Sequence, residues 1–251
     1  METLPQRPRA VPSPREVLSR CALLLDVDGT LVEIAPRPDD VFVPDTLRSD
    51  LGALYEAMGG AVALITGRGL ADVEGLIAPL RLPIAAEHGG VLRPDPSEPP
   101  QRALLLPAPQ EWRDAAAAYV AAHRGMVFEE KSGGFVLHYR LAPEQDLPAF
   151  DLLRTLIGTA KEFEILRAAM AWEVRPRGVN KGGAVRKIMS EAPFAGRKPI
   201  FIGDDVTDED GIVAARELGG EGYRVPEDFQ SPAAVRGWLA SLVVGQHAAT
   251  A

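Results

Sequence analysis

Residues 23–31, Leu-Leu-Leu-Asp-Val-Asp-Gly-Thr-Leu, constrain what this 251-residue chain can fold into more than any other stretch. The run 22–25 carries no charge and is short enough for a strand buried on both faces, the pattern of a parallel sheet. Asp26 and Asp28 follow at its C-terminal end, where open α/β sheets place their ligands. Residues two apart on an extended chain point the same way, so the two carboxylates can face one site. Gly29 lets the chain turn sharply away. Two aspartates held that close need a cation, a shared proton or separate tasks, because both bare would repel.

Strand and helix signals alternate through the rest of the chain. Residues 44–58 read as a helix, with Leu47, Leu51, Leu54, Tyr55 and Met58 at helical spacing and Gly59-Gly60 to end it. Residues 61–65 read as a second buried strand, 70–77 as a helix and 84–86 as a short third strand. Such alternation predicts an α/β fold, a doubly wound parallel sheet of Rossmann-like type. Residues 93–109 are rich in proline and read as a linker, and residues 1–14 as a loose arm. Between 111 and 175 a helix followed by two strands occurs twice: 111–123, 126–131 and 135–140, then 144–157, 163–167 and 172–175. The tandem predicts an antiparallel sheet with helices on one face, an α+β cap inserted into the main domain. The doubly wound pattern resumes with a helix at 181–189, a strand at 199–202, a helix at 206–218, a strand at 222–225 and a helix at 232–242. The expected domains are a discontinuous core, 1–102 with 178–251, and a substrate-specificity cap, 103–177.

Residues 201–210, Phe-Ile-Gly-Asp-Asp-Val-Thr-Asp-Glu-Asp, put five acids within seven positions directly after a strand. Carboxylates favour a helix N-terminus in any case. Asp204 and Asp205, however, precede the helix, at a strand end beside that of Asp26 and Asp28. An all-oxygen cluster of this kind suits Mg2+, which takes few carboxylates and keeps several waters.

Composition narrows the partners. A net charge of −8 argues against nucleic acid, whose phosphates demand a basic face, while an anionic small substrate needs only a local group of cations. Cys21 is the only cysteine, so no internal disulfide can form; a reducing compartment is expected, with Cys21 as a small buried residue. No apolar run reaches transmembrane length and none is of signal-peptide type, so the expectation is a cytoplasmic protein with no membrane partner. Oligomeric state is open, with a monomer as the default.

Asp26-Val27-Asp28-Gly29-Thr30 resembles the DxDGT signature of the haloacid-dehalogenase superfamily of phosphohydrolases. The resemblance implies that Asp26 is a nucleophile forming an aspartyl phosphate and Asp28 the general acid/base. By the same resemblance Thr66, in Leu64-Ile65-Thr66-Gly67-Arg68, bonds the transferring phosphoryl group, and Lys181 neutralises its oxygens. Asp26, the backbone carbonyl of Asp28 and Asp204 would contact Mg2+, with Asp205 or Asp208 acting from further out. Glu129-Glu130-Lys131, His138-Tyr139-Arg140, Glu173-Val174-Arg175-Pro176 and Gly203-Asp204-Asp205-Val206-Thr207-Asp208-Glu209-Asp210 extend the likeness, so that the chain from about 23 to 210 is similar to the trehalose-6-phosphate phosphatases. That family implies a sugar-phosphate substrate, with Glu129, Lys131 and Glu173 gripping its hydroxyls and Arg68, His88, His138, Arg140 and Arg175 as further contacts. Alternating polar residues on an antiparallel strand are also what a wet sheet face looks like. The competing functions are another capped sugar phosphatase, acting on sucrose 6-phosphate or mannosyl-3-phosphoglycerate, a sugar phosphomutase, and a non-catalytic sugar-phosphate binding module.

Overall fold

The computed structural model describes residues 10–35, 40–103, 106–168 and 170–249. The chain divides into two compact units, Met1–Gln101 with Asn180–Ala251, and Arg102–Val179. It opens with α1 (Pro14–Arg20), β1 (Cys21–Leu25), α2 (Asp45–Ala57), β2 (Val62–Ile65), α3 (Leu70–Ile77) and β3 (Ile84–Ala86), followed by the short strands β4 (Val91–Arg93) and β5 (Gln101–Arg102). Next come α4 (Gln110–Ala122), β6 (Val127–Glu130), β7 (Phe135–His138), α5 (Asp146–Ile157), β8 (Phe163–Ala168) and β9 (Ala171–Pro176). The chain then returns to the first unit with α6 (Lys181–Met189), β10 (Lys198–Gly203), α7 (Glu209–Glu217), β11 (Glu221–Arg224) and α8 (Pro232–Ala249).

Among the described residues, the first unit holds a seven-stranded sheet in the order β11-β10-β1-β2-β3-β4-β5. From β11 to β3 every pairing is parallel, with β1 at the centre between β10 and β2. All five residues of β1 are buried, so the sheet is covered on both faces, as an uncharged strand requires. Helices α1 and α2 pack with α8, while α6 packs with α7. Each parallel strand from β1 to β10 ends on the same side, and the order reverses across β1: β2 lies to one side of it and β10 to the other. That reversal is the place where such sheets open a crevice for a ligand.

The sheet departs from the expected all-parallel form at one edge. β4 pairs antiparallel with β3, and β5 lies beyond it in the stretch read as a linker. Strands of three and two residues are too short to show a periodicity. The expected loose arm falls partly outside the described residues, 1–9. The remainder leads into α1, which Pro14 opens at a position where a missing N–H costs nothing, and whose Val17 is fully buried. Cys21, the first residue of β1, is buried.

The second unit is a four-stranded sheet in the order β6-β7-β9-β8, antiparallel throughout. Helices α4 and α5 pack against it over a core that includes Phe135, Leu137, Trp172 and Val174. Because strand side chains alternate, the intervening residues point to the opposite face: Glu129 on β6, His138 on β7, Glu173 and Arg175 on β9, and Glu164 on β8. Polar chemistry is thus gathered on one side of this sheet.

Candidate active site

The site begins where β1 stops. The Asp26 N–H continues the ladder to the carbonyl of Ile202 on β10, at 3.0 Å, and the chain then folds back. The Val27 carbonyl accepts from the amides of Leu31 and Val32, at 2.9 and 3.0 Å, and Gly29 N–H donates to Val32, at 2.8 Å. Gly29 has φ of 73°, and a Cβ there would lie 2.0 Å from an Asp204 carboxylate oxygen. Glycine is required twice over, for the left-handed backbone and for the approach of that carboxylate.

Asp204 and Asp205 follow β10, and Asp208 closes a 3-10 turn, Val206–Asp208, before α7. This turn replaces the first part of the helix expected at 206–218. The Asp205 side chain accepts from the Val206 amide at 2.6 Å, and Asp208 Oδ2 accepts from the amides of Asp204 and Asp205 at 3.1 and 3.0 Å, a reciprocal capping box. Asp208 is fully buried, and its other oxygen accepts from Lys181 Nζ at 2.6 Å. Lys181 also donates to Asp26 Oδ1 at 2.7 Å. It is the first residue of α6, held there by the Asn180 side chain, which accepts from the Gly183 amide at 2.8 Å. The backbones of α6 and α7 meet closely, since a Cβ on Gly182 would fall 2.5 Å from the carbonyl of Asp210. Residues far apart in the chain therefore meet in one buried group.

Asp26, Asp204 and Asp208 each bring one carboxylate oxygen within 4.8 Å of the others. Thr30 Oγ1 donates toward Asp26 at 3.3 Å and toward Asp204 at 3.5 Å. Three acids against one lysine leave excess negative charge. Burial, with Asp208 and Asp204 nearby, pushes Asp26 well above the usual carboxylate range although Lys181 pulls the other way. Burial and the Asp208 carboxylate push Asp204 up to about 7. Lys181 is raised: burial alone would lower it, but Asp26 and Asp208 outweigh that. An oxygen-only pocket short of positive charge, with Asp204 seated against a Gly29 that leaves no room for a Cβ, fits a hard divalent cation. Among the described acids Asp205 stands outside this triangle, spent on the cap.

The remaining strand-end residues form a second layer. Thr66 is buried at the end of β2, and its hydroxyl accepts from the Arg68 amide at 3.1 Å. Arg68 forks onto Asp28, with Nε and Nη2 each 2.7 Å from a different carboxylate oxygen. His88, after β3, is buried in a left-handed conformation with φ of 56°. Its ring packs so closely on Gly67 that a Cβ there would fall 2.7 Å from it.

In the second unit, Lys131 Nζ lies 3.7 Å from Glu129 and 3.6 Å from Glu173, and His138 Nε2 sits 2.7 Å from the other Glu129 oxygen. Burial works to raise the Glu129 carboxyl, but the His138 bond and the Lys131 charge hold it below its usual range. Arg175 is bonded instead to Glu164, at 2.9 Å, and Arg140 is half-buried just after β7. Two residues had no role at sequence level. Thr30 lies inside the DxDGT signature and joins the acids. Arg113 on α4 is buried and donates to the carbonyls of Lys131 and Gly134, at 3.0 and 2.7 Å, fixing the β6–β7 turn. An arginine early in an amphipathic helix reads as a solvent-facing charge, so nothing in the chain singled it out.

Comparison with known proteins gives one consistent result. The family model described as trehalose-phosphatase matches residues 24–229. The chain is 37% identical to a probable trehalose-phosphate phosphatase of Sinorhizobium fredii over 237 residues, 90% of this chain and 89% of that protein. It is 35% identical to the trehalose-6-phosphate phosphatase of Escherichia coli over 210 residues, covering 84% and 79% of the two chains. The C-terminal domain of the Candida albicans trehalose-6-phosphate phosphatase has the same fold, with a TM-score of 0.79 over 96% of this chain and 99% of that one at 21% identity.

Proposed function

This chain belongs to the trehalose-phosphatase family of haloacid-dehalogenase phosphatases, and on that premise we propose that it hydrolyses trehalose 6-phosphate to trehalose and inorganic phosphate, with Mg2+ as cofactor and an aspartyl phosphate as intermediate. The observation that carries the reading is the bridge of Lys181 between Asp26 and Asp208, with Asp204 alongside.

Phosphate monoesters are among the slowest esters to hydrolyse uncatalysed, needing acceleration of up to ~10²¹-fold, so several groups must act together. An Asp26 oxygen attacks phosphorus in line while the bond to the sugar oxygen breaks, and Asp28 gives that oxygen its proton. Asp28 then takes a proton from water, whose oxygen cleaves the aspartyl phosphate, releasing phosphate and restoring Asp26. Lys181 holds Asp26 in one orientation and offsets phosphoryl charge, with the α6 N-terminus behind it favouring anions. The Thr66 hydroxyl would bond a phosphoryl oxygen. Asp26, Asp204 and the backbone carbonyl of Asp28 would hold Mg2+, with Asp208 orienting Lys181 and the Asp204 backbone. When bound, that ion supplies further neutralisation of the phosphoryl oxygens.

Substrate choice rests with the second unit, read as the specificity cap. Glu129, Lys131 and Glu173 offer acceptors and donors to sugar hydroxyls, and His138 fixes Glu129. The names of the similar proteins support trehalose 6-phosphate over sucrose 6-phosphate or mannosyl-3-phosphoglycerate. The test is a panel of sugar phosphates assayed for phosphate release by metal-stripped protein with and without added Mg2+. Trehalose 6-phosphate should give the highest kcat/KM, and only with the ion. Release of an isomerised phosphate ester in place of free phosphate, or full rate after chelation, would refute the proposal.

A further inference from the structure

We propose that Arg68 is a positioning residue for the general acid, setting the orientation of the Asp28 carboxylate; the inference rests on the acid role given to Asp28 above. Both Asp28 oxygens are engaged by one guanidinium, Nε to Oδ2 and Nη2 to Oδ1, each at 2.7 Å. A two-point, charge-assisted pair of this kind fixes the plane of a carboxylate as well as its place. The arginine is itself braced. Its amide donates to the Thr66 hydroxyl at 3.1 Å, and its carbonyl accepts from the Glu87 amide at 2.9 Å, tying together the ends of β2 and β3. Its side chain is 11% exposed whereas that of Asp28 is 37% exposed, so the buried partner is the fixed one.

Geometry gives the fork its purpose. Asp28 is two residues from Asp26, yet its carboxylate does not join the group formed by Asp26, Asp204 and Asp208. A half-exposed aspartate so near a cation site has several rotamers open to it, including ones that would make it one more metal ligand. The fork selects one rotamer and keeps the carboxyl for the leaving oxygen. In the first chemical step the bond from phosphorus to that oxygen breaks, its electron pair stays on the oxygen, and the proton comes from Asp28. Arg68 neither gives nor takes a proton. Its contribution must therefore grow with the basicity of the leaving group. An arginine that gripped phosphoryl oxygens would instead matter equally for every ester.

Phenyl phosphate and p-nitrophenyl phosphate separate these cases, since they are alike in shape, carry no sugar and differ in leaving-group basicity. The measurement is kcat/KM, with kcat and KM resolved, for the full chain and for Arg68→Gln, Arg68→Lys and Asp28→Asn with saturating Mg2+. Arg68→Gln should lower kcat/KM for phenyl phosphate by about ten- to a hundred-fold, part of the roughly 10²–10⁴-fold that a positioned acid contributes, and change p-nitrophenyl phosphate much less. Arg68→Lys, which keeps the charge and loses the fork, should fall between. Equal losses on both esters, or a raised KM at unchanged kcat, would overturn the inference. If Asp28→Asn shows the leaving-group pattern and Arg68→Gln does not, the inference alone fails; if Asp28→Asn lacks it, the acid assignment fails first.

Discussion

Gly29→Ala separates the fold of this protein from its chemistry. The added Cβ would sit 2.0 Å from Asp204 Oδ2, 2.3 Å from its Cγ and 2.8 Å from Oδ1, with the backbone at φ of 73°. Holding alanine in left-handed geometry costs about 1–2 kcal/mol. The steric conflict adds little to that, because the atoms in the way are the end of one side chain, which can rotate aside. For a chain of this size the melting temperature should fall by about 2–8 °C. Rotation of Asp204, however, removes a carboxylate from the proposed ion site. Losing even an outer partner of a metal ligand commonly costs about 10–100-fold in affinity, and losing a ligand costs at least as much. The expected result is a folded protein whose Mg2+ half-saturation rises by at least about 10-fold. Thermal melts in chelator read the first quantity, and phosphate release against Mg2+ concentration reads the second. Gly203→Ala is the contrast. Its Cβ would lie 2.2 Å from the Cγ of Asp208, which is fully buried and held by Lys181 and two amides, so there the fold itself should suffer. Unchanged Mg2+ dependence in Gly29→Ala would refute the placement of the ion beside Asp204.

Lys181→Met leaves the buried carboxylates of Asp26 and Asp208 without their shared cation, a loss of about 3–5 kcal/mol in urea unfolding at neutral pH. Added Mg2+ should restore part of that stability but not turnover; stability equal to the parent would show that the bridge contributes nothing. Glu129→Ala should lower kcat/KM for trehalose 6-phosphate by about ten- to a hundred-fold, while p-nitrophenyl phosphate, which has no sugar, changes little. Glu129 also makes a prediction about acid stability. Its carboxyl is depressed in the folded state, so its contribution is present above the ordinary glutamate value of about 4.3 and is lost as pH falls through the folded value. The stability difference between parent and Glu129→Gln should therefore shrink as urea unfolding is followed from about pH 5 to about pH 3, and a difference that stays constant would count against the His138 and Lys131 contacts.

What could be read in advance follows from which forces act locally. β1 is an unbroken apolar run because it is buried on both sides, and an unbroken run is visible in one dimension. Strand-end acids are visible for the same reason, as abrupt changes of polarity. Both the α/β class and the phosphatase family rest on such features. β4 and β5 were not visible, because pairing across the sheet, of β4 with β3 and of β5 with β4, and no local pattern, holds them extended. The 3-10 turn before α7 depends on Asp205 and Asp208 bonding each other's backbone rather than helix neighbours. Arg68 stood out by its Thr-Gly-Arg context, but its partner lies 40 residues earlier and no periodicity links them. Arg113 is hidden most completely, since its acceptors are backbone carbonyls, which every sequence has.

The long reach of Lys181 has a consequence for the order in which this chain can become active. Its two partners stand 155 residues before it and 27 after it, and β1 must wait for β10 to complete the centre of its sheet. During synthesis β1 therefore emerges with both flanking strands unmade, and long after β2 has joined it the other side still waits for β10. Arg102–Val179, contiguous and built on its own apolar core, can close without waiting for the strands and helices that follow Lys181 to fold. Until Asp208 has been added, the lysine has no second carboxylate and Asp204 no amide tether, so the nascent chain carries every residue of its first signature and none of the chemistry.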